Sequence, residues 1–212
     1  MTETQLIIYH NEEIPVDFFD EFLAKGKESQ IPVDLRSQKN EPMMAIDWLI
    51  PTAVIVYLAK PFIDDILRRA SKDFGDYVYP KINNLISTLA TKVLIGTRNR
   101  LKLVTPSGPK PREGKSAFFS LTSETSQQMQ VKFVFEEGLS ERDYEIQVEQ
   151  ALKLLLEHYF DQHRDPFLNA SVASGTKTIF MLYDGQKRNW QPADVIEEIR
   201  KERAKWEEEN NN

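Results

Sequence analysis

The stretch from Met43 to Leu67 limits what this chain can become. It holds 18 apolar residues out of 25, interrupted by Asp47, Pro51, Thr52, Lys60, Pro61, Asp64 and Asp65. Any fold has to remove such a segment from water, since each Å² of buried apolar surface stabilises by roughly 25 cal/mol. Its densest part, from Trp48 to Ala59, carries no charge. Pro51 suits the first position of a helix, where a missing N–H costs nothing, and Pro61 would kink or end that helix. The segment is therefore expected to be helical. The 12 uncharged residues would span about 18 Å as a helix, short of a hydrocarbon slab of ~30 Å. Three placements remain open. The helix is core, or an oligomer interface, or it enters a membrane in several copies. In the last two, Trp48, Leu49, Ile50, Val54, Ile55, Tyr57, Leu58 and Phe62 face lipid or a neighbouring subunit. Lys60, Asp64 and Asp65 then line an opening, because carboxylates at membrane depth need a wet cavity or a partner. Arg68, Arg69 and Lys72 fit a cytoplasmic flank.

The flanks read as α+β. Residues 6–10 (Leu-Ile-Ile-Tyr-His) read as a strand, residues 15–23 as a helix with Gly26 just past its end, and residues 31–35 as a second strand. Together they form a strand-helix-strand unit over 1–42. Across 43–96 the apolar helix is followed by amphipathic ones. The first is marked by Ile63, Leu67, Ala70, Phe74 and Tyr77; after a break at Pro80, Ile82, Leu85, Ile86, Leu89 and Val93 mark the next. Residues 97–116 form a basic linker rich in proline and glycine. The remainder, 117–209, reads as an α/β unit. It opens on an antiparallel strand pair (118–122 and 130–135), with Val131, Phe133 and Phe135 in the period of two. Ser140 and Asp143 then cap a helix running to about Phe160. A strand at 178–183, an Asp184-Gly185 hairpin turn and a final helix opened by Pro192 complete it.

Composition narrows function. The absence of cysteine excludes disulfides, thiolate nucleophiles and Cys-ligated metals. The N-terminus lacks the basic and apolar regions of a secretory signal, so the expected location is the cytoplasm or the cytoplasmic side of the inner membrane. From Lys92 to Lys115 there are seven basic residues and one acid, against a whole-chain charge of −6. In that stretch Arg98, Arg100, Lys102, Lys110 and Arg112 are candidates for an anionic nucleotide, oligonucleotide or headgroup. No aromatic residue interleaves them, so base stacking and sequence-specific DNA binding are not expected. His158 and His163 stand five residues apart, off the spacing that puts two metal ligands on one helical face, and read as a solvated helix end. No nucleophile elbow, phosphate loop, dinucleotide fingerprint or zinc-protease motif is present, and no enzyme activity or cofactor is expected.

The order of parts resembles small bacterial proteins of antiphage defence and other conflict systems. The matching stretches are residues 5–35, the segment Asp47-Trp-Leu-Ile-Pro-Thr-Ala-Val-Ile-Val-Tyr-Leu-Ala59, and residues 131–160 and 178–200. The resemblance implies a homo-oligomeric, channel-like membrane effector triggered by a nucleotide signal. The alternative is an oligomeric adaptor with the apolar segment buried. The resemblance assigns no role to individual residues.

Overall fold

A computed structural model describes residues 6–12, 14–38, 54–69, 75–96, 115–124, 130–136, 138–160 and 178–193. The first two strands overlap the two extended segments expected from the sequence. β1 (Leu6–Asn11) and β2 (Val33–Gln38) pair in parallel, with Ile8 opposite Leu35. Between them a 3₁₀ turn (Val16–Phe19) leads into α1 (Asp20–Glu28). Gly26 lies inside α1 and does not follow it. A Cβ there would sit 2.9 Å from Val33 Cγ2, so the glycine lets the helix approach β2 closely. The helix ends instead in a Schellman motif. Ile31 N–H donates to the Gly26 carbonyl and Gln30 N–H to that of Lys27, and Gln30 takes the left-handed conformation at φ 58°.

The apolar run is not the helix its prolines imply. Val54–Leu58 forms β3, a strand in mid-sheet. Val54, Val56 and Leu58 are fully buried while Ile55 and Tyr57 are half-buried, a period of two that a helix cannot produce. The physical reason is local: Val-Ile-Val is β-branched and stiff at χ1, which favours the pleated surface. Pro61 opens the next helix, α2 (Lys60–Arg69), as its second residue. Pro80 likewise does not break the chain. It lies within α3 (Gly75–Gly96), near the start, where it costs the helix the one bond its missing N–H would have made to the Asp76 carbonyl. The stripe Ile82, Leu85, Ile86, Leu89 and Val93 is buried as its spacing predicts.

β4 (Lys115–Glu124) and β5 (Gln130–Glu136) form the expected antiparallel pair. α4 (Glu141–Phe160) is capped at Ser140, whose Oγ accepts the Asp143 N–H at 3.2 Å and donates to the Asp143 carboxylate at 2.6 Å. β6 (Thr178–Asp184) turns into β7 (Asn189–Pro192) around the Asp184 carboxylate, which accepts the N–H groups of Gln186 and Lys187. Pro192 therefore closes a strand where the sequence had it opening a helix. The residues after 193 lie outside the described part.

All seven strands join one sheet in the order β2-β1-β3-β4-β5-β6-β7. Three neighbouring pairs are parallel and three antiparallel. The mixture of helices and strands matches the α+β reading. The arrangement differs, because one mixed sheet runs through segments read as separate units. The helices gather on one face: α3 packs against α1, α2 and α4. On that face Ile8, Val56, Leu121, Phe133 and Met181 form the core. Trp190 locks the far end, packing edge-on against Phe133 and Phe135 and donating its indole N–H to the Gln147 carbonyl at 3.0 Å.

Candidate functional site

The opposite face of the sheet carries no described helix, and strand register fixes what lies on it. Residues that alternate with the core positions form two rows. One runs Tyr9, Ile55, Ser120, Val134, Leu182; the other runs Ile7, Tyr57, Thr122, Lys132, Phe180. Most of these are apolar or aromatic. Ser120, Thr122 and Lys132 form a polar island among them.

That island is electrostatically unfinished. Ser120 is 0% and Thr122 6% exposed, and among the described residues neither hydroxyl has a hydrogen-bond partner. A buried unsatisfied polar group costs about 1–3 kcal/mol, and here two stand on consecutive same-face positions of β4, about 7 Å apart along the strand. Lys132 faces Thr122 across the β4–β5 ladder. Burial pushes its amine down to about 7 from the usual 10.5, and no carboxylate among the described residues offsets the desolvation. Among the described residues Thr91, Gln147, Gln150 and Tyr159, on α3 and α4, also carry buried unpartnered side-chain atoms, and of these Tyr159 lies within electrostatic reach of Tyr57 and Glu124.

Next to the island lies an anionic rim. Glu124, two residues beyond Thr122 on the same face, is exposed and accepts the Tyr57 hydroxyl at 2.5 Å. The Tyr57 phenol is driven well above its ordinary pKa, first by burial and then by that carboxylate, so it remains a donor. Tyr57 packs edge-on to Tyr9 at 6.4 Å, and the Arg36 guanidinium lies 5.9 Å from the Tyr9 ring centre while pairing with Asp34 at 2.7 Å.

The residues singled out from the sequence are scattered over this frame. Arg98, Arg100, Lys102, Lys110 and Arg112 lie outside the described residues, as do Trp48, Leu49 and Ile50. Val54 and Leu58 are core on the helix-bearing face, and Phe62 is core on α2. Ile55 and Tyr57 point to the other face, so of this set Tyr57 is the residue that joins the polar site. Lys60 and Asp64 neutralise each other on exposed α2 at 2.7 Å, with Lys60 5.9 Å from the Tyr159 ring centre; Asp65 is half-buried beside them. His158, read as part of a solvated helix end, is 1% exposed and packs against Tyr159.

Ser120, Thr122, Glu124 and Lys132 escaped the sequence reading. Alternation with Val131 and Phe133 made Lys132 look solvent-facing, and only register brings it opposite Thr122. Among the described residues no group of three His, Asp or Glu side chains is placed to hold a metal ion. No described helix is long and apolar enough to cross a membrane. No protein-family model, curated protein or solved structure matches the chain.

Proposed function

We propose that this chain is an anion-binding module, acting by recognition and not by catalysis, whose site is centred on Lys132, beside Ser120 and Thr122, on the sheet face opposite the described helices. One observation carries the reading: among the described residues, two buried hydroxyls with no partner adjoin a lysine with no counter-charge. An apolar trio at these positions would make a more stable sheet. A phosphate or carboxylate bound at the partly exposed lysine would restore the charge on the amine.

The membrane effector expected from the sequence keeps its anionic signal in this proposal but loses its inserting helix. β3 bridges β1 and β4. Extracting it would divide the sheet and bare Val54, Val56 and Leu58, so the adaptor-like alternative, with the apolar segment buried, agrees better with the fold.

Thermal shift of the whole chain with inorganic phosphate and pyrophosphate, against chloride at equal ionic strength, tests the reading. A concentration-dependent rise in the wild type, absent in Lys132→Met, is the expected result. Equal rises in wild type and Lys132→Met, or none in the wild type, would remove the site.

A further inference from the structure

The two ends of the described sheet differ in character. β7 is short and closes on Pro192, which has no N–H to offer a further strand. β2, Val33–Gln38, is longer and holds no proline, and it stands at the other end of the strand order. Its inner backbone groups are taken up by β1. The Pro32 carbonyl accepts the Leu6 N–H at 2.9 Å and the Gln38 carbonyl the Glu12 N–H at 3.2 Å, so the even-numbered residues turn towards β1. Val33, Leu35 and Ser37 therefore aim their N–H and C=O groups outward, and no described strand receives them. A row of this kind is a template for another strand. Asp34 and Arg36 flank its centre on one face of the sheet. Both Nε and Nη2 of Arg36 converge at 2.7 Å on Asp34 Oδ2, so that pair does not use the second carboxylate oxygen.

We propose that β2 is a dimerisation edge whose partner is β2 of a second copy, paired antiparallel about a two-fold axis at Leu35. The charges select both partner and register. With the axis at Leu35, Asp34 of each copy stands opposite Arg36 of the other. These pairs carry no backbone bonds, and there Cα atoms approach to about 4.5 Å. Moving the axis to Asp34 or Arg36 sets like charges face to face, which destabilises the pairing. Moving it to Val33 or Ser37 leaves much of the edge unpaired. The axis at Leu35 also suits the backbone, since Leu35 then pairs with its own copy and Val33 with Ser37, all outward-facing residues. A foreign strand has no reason to carry this order of acid and base, whereas this chain's own edge, reversed, supplies it. The contact is isologous, so it closes at two copies and runs one sheet through both. Lys132 lies on β5, beyond β1, β3 and β4, so the dimer edge and the anion site are independent of one another.

Analytical ultracentrifugation of the full chain, loaded at concentrations from about 1 to 500 μM, measures the dimer. The wild type should show a monomer–dimer equilibrium. Asp34→Arg makes both pairs across the axis repulsive and should weaken the dimer about tenfold or more. Adding Arg36→Asp restores opposite charges in the same register and should bring the affinity back to within about threefold of the wild type. Ser37→Pro removes an outward N–H that β1 does not use and crowds an approaching strand. It should abolish the dimer while the urea midpoint of the monomer stays as in the wild type. A wild type that sediments only as a monomer, or as an open-ended series of species, overturns the proposal, and so does a dimer that survives Ser37→Pro. If the double charge exchange fails to rescue Asp34→Arg, the pairing about Leu35 is wrong. Should Ser37→Pro fail to fold, the charge exchange alone decides.

Discussion

Replacing Lys132 with methionine keeps an unbranched side chain one atom shorter and removes the charge, and the site's logic predicts that the ligand-free protein becomes more stable. An unfolded lysine titrates near 10.5 and this one near 7. The difference of 3.5, at about 1.36 kcal/mol per pH unit, sets a ceiling of about 5 kcal/mol on the cost of a charged Lys132. Its side chain is partly exposed, and solvent screening lowers this to roughly 2–3 kcal/mol. The sign follows from proton counting. Between pH 7 and 10.5 the unfolded chain binds more protons than the folded one, so stability rises with pH across that window, and below 7 the full cost is present. At pH 6 Lys132→Met should therefore melt roughly 4–12 °C above the wild type, at about 2–4 °C per kcal/mol for a chain of this size. The gap should shrink towards pH 10. Thermal denaturation followed by circular dichroism in phosphate-free buffer, at several values between pH 6 and 10, measures it. Equal melting temperatures at pH 6, or a gap that does not change with pH, would mean that the ammonium is hydrated and the argument from desolvation is wrong.

Strand alternation at β3 makes Val56→Asp unfold the protein, because it buries a carboxylate in the core, whereas Ile55→Asp, one residue away on the other face, should leave a cooperative melt; equal damage from both would contradict the strand. Gly26→Ala should destabilise by about 1–3 kcal/mol in urea denaturation, since its Cβ would fall 2.9 Å from Val33 Cγ2 and 3.3 Å from the Ile31 carbonyl. Gln30→Gly should stabilise by roughly 1 kcal/mol by relieving a left-handed residue, and no change would mean that the Schellman end of α1 is unstrained. Trp190→Phe should cost about 1–3 kcal/mol, because the Gln147 carbonyl loses its buried donor; an unchanged urea midpoint would show that water replaces it.

Much of the local structure was legible because local signals agree with one another. A short apolar run marked β1 and alternation marked β5, the Ser140–Asp143 pair marked the start of α4, and spacing of three and four residues marked the buried stripe from Ile82 to Val93. Where punctuation and pattern disagreed, punctuation misled. Pro51 and Pro61 framed a ten-residue interval that looked helical, yet Pro61 begins a helix and the Val-Ile-Val between them pairs as a strand. Gly26 looked like a helix stop because a glycine needed for close packing and one needed for a left-handed turn are the same letter. The candidate site was scarcely legible, since its polar groups are single letters in three strands with no motif spacing.

The sequence by itself determined that Val54–Leu58 would leave water, that no thiol chemistry is available, and that α3 would bury one stripe; burial propensity and helical periodicity are properties of neighbouring residues. Tertiary structure alone decided that the apolar run pairs with β1 and β4, and that Tyr57, Thr122 and Lys132 share one row. Cross-strand register joins residues 65 positions apart between β3 and β4 through backbone hydrogen bonds that every sequence can make, so the partners of a strand are chosen by the whole sheet and not by the strand itself.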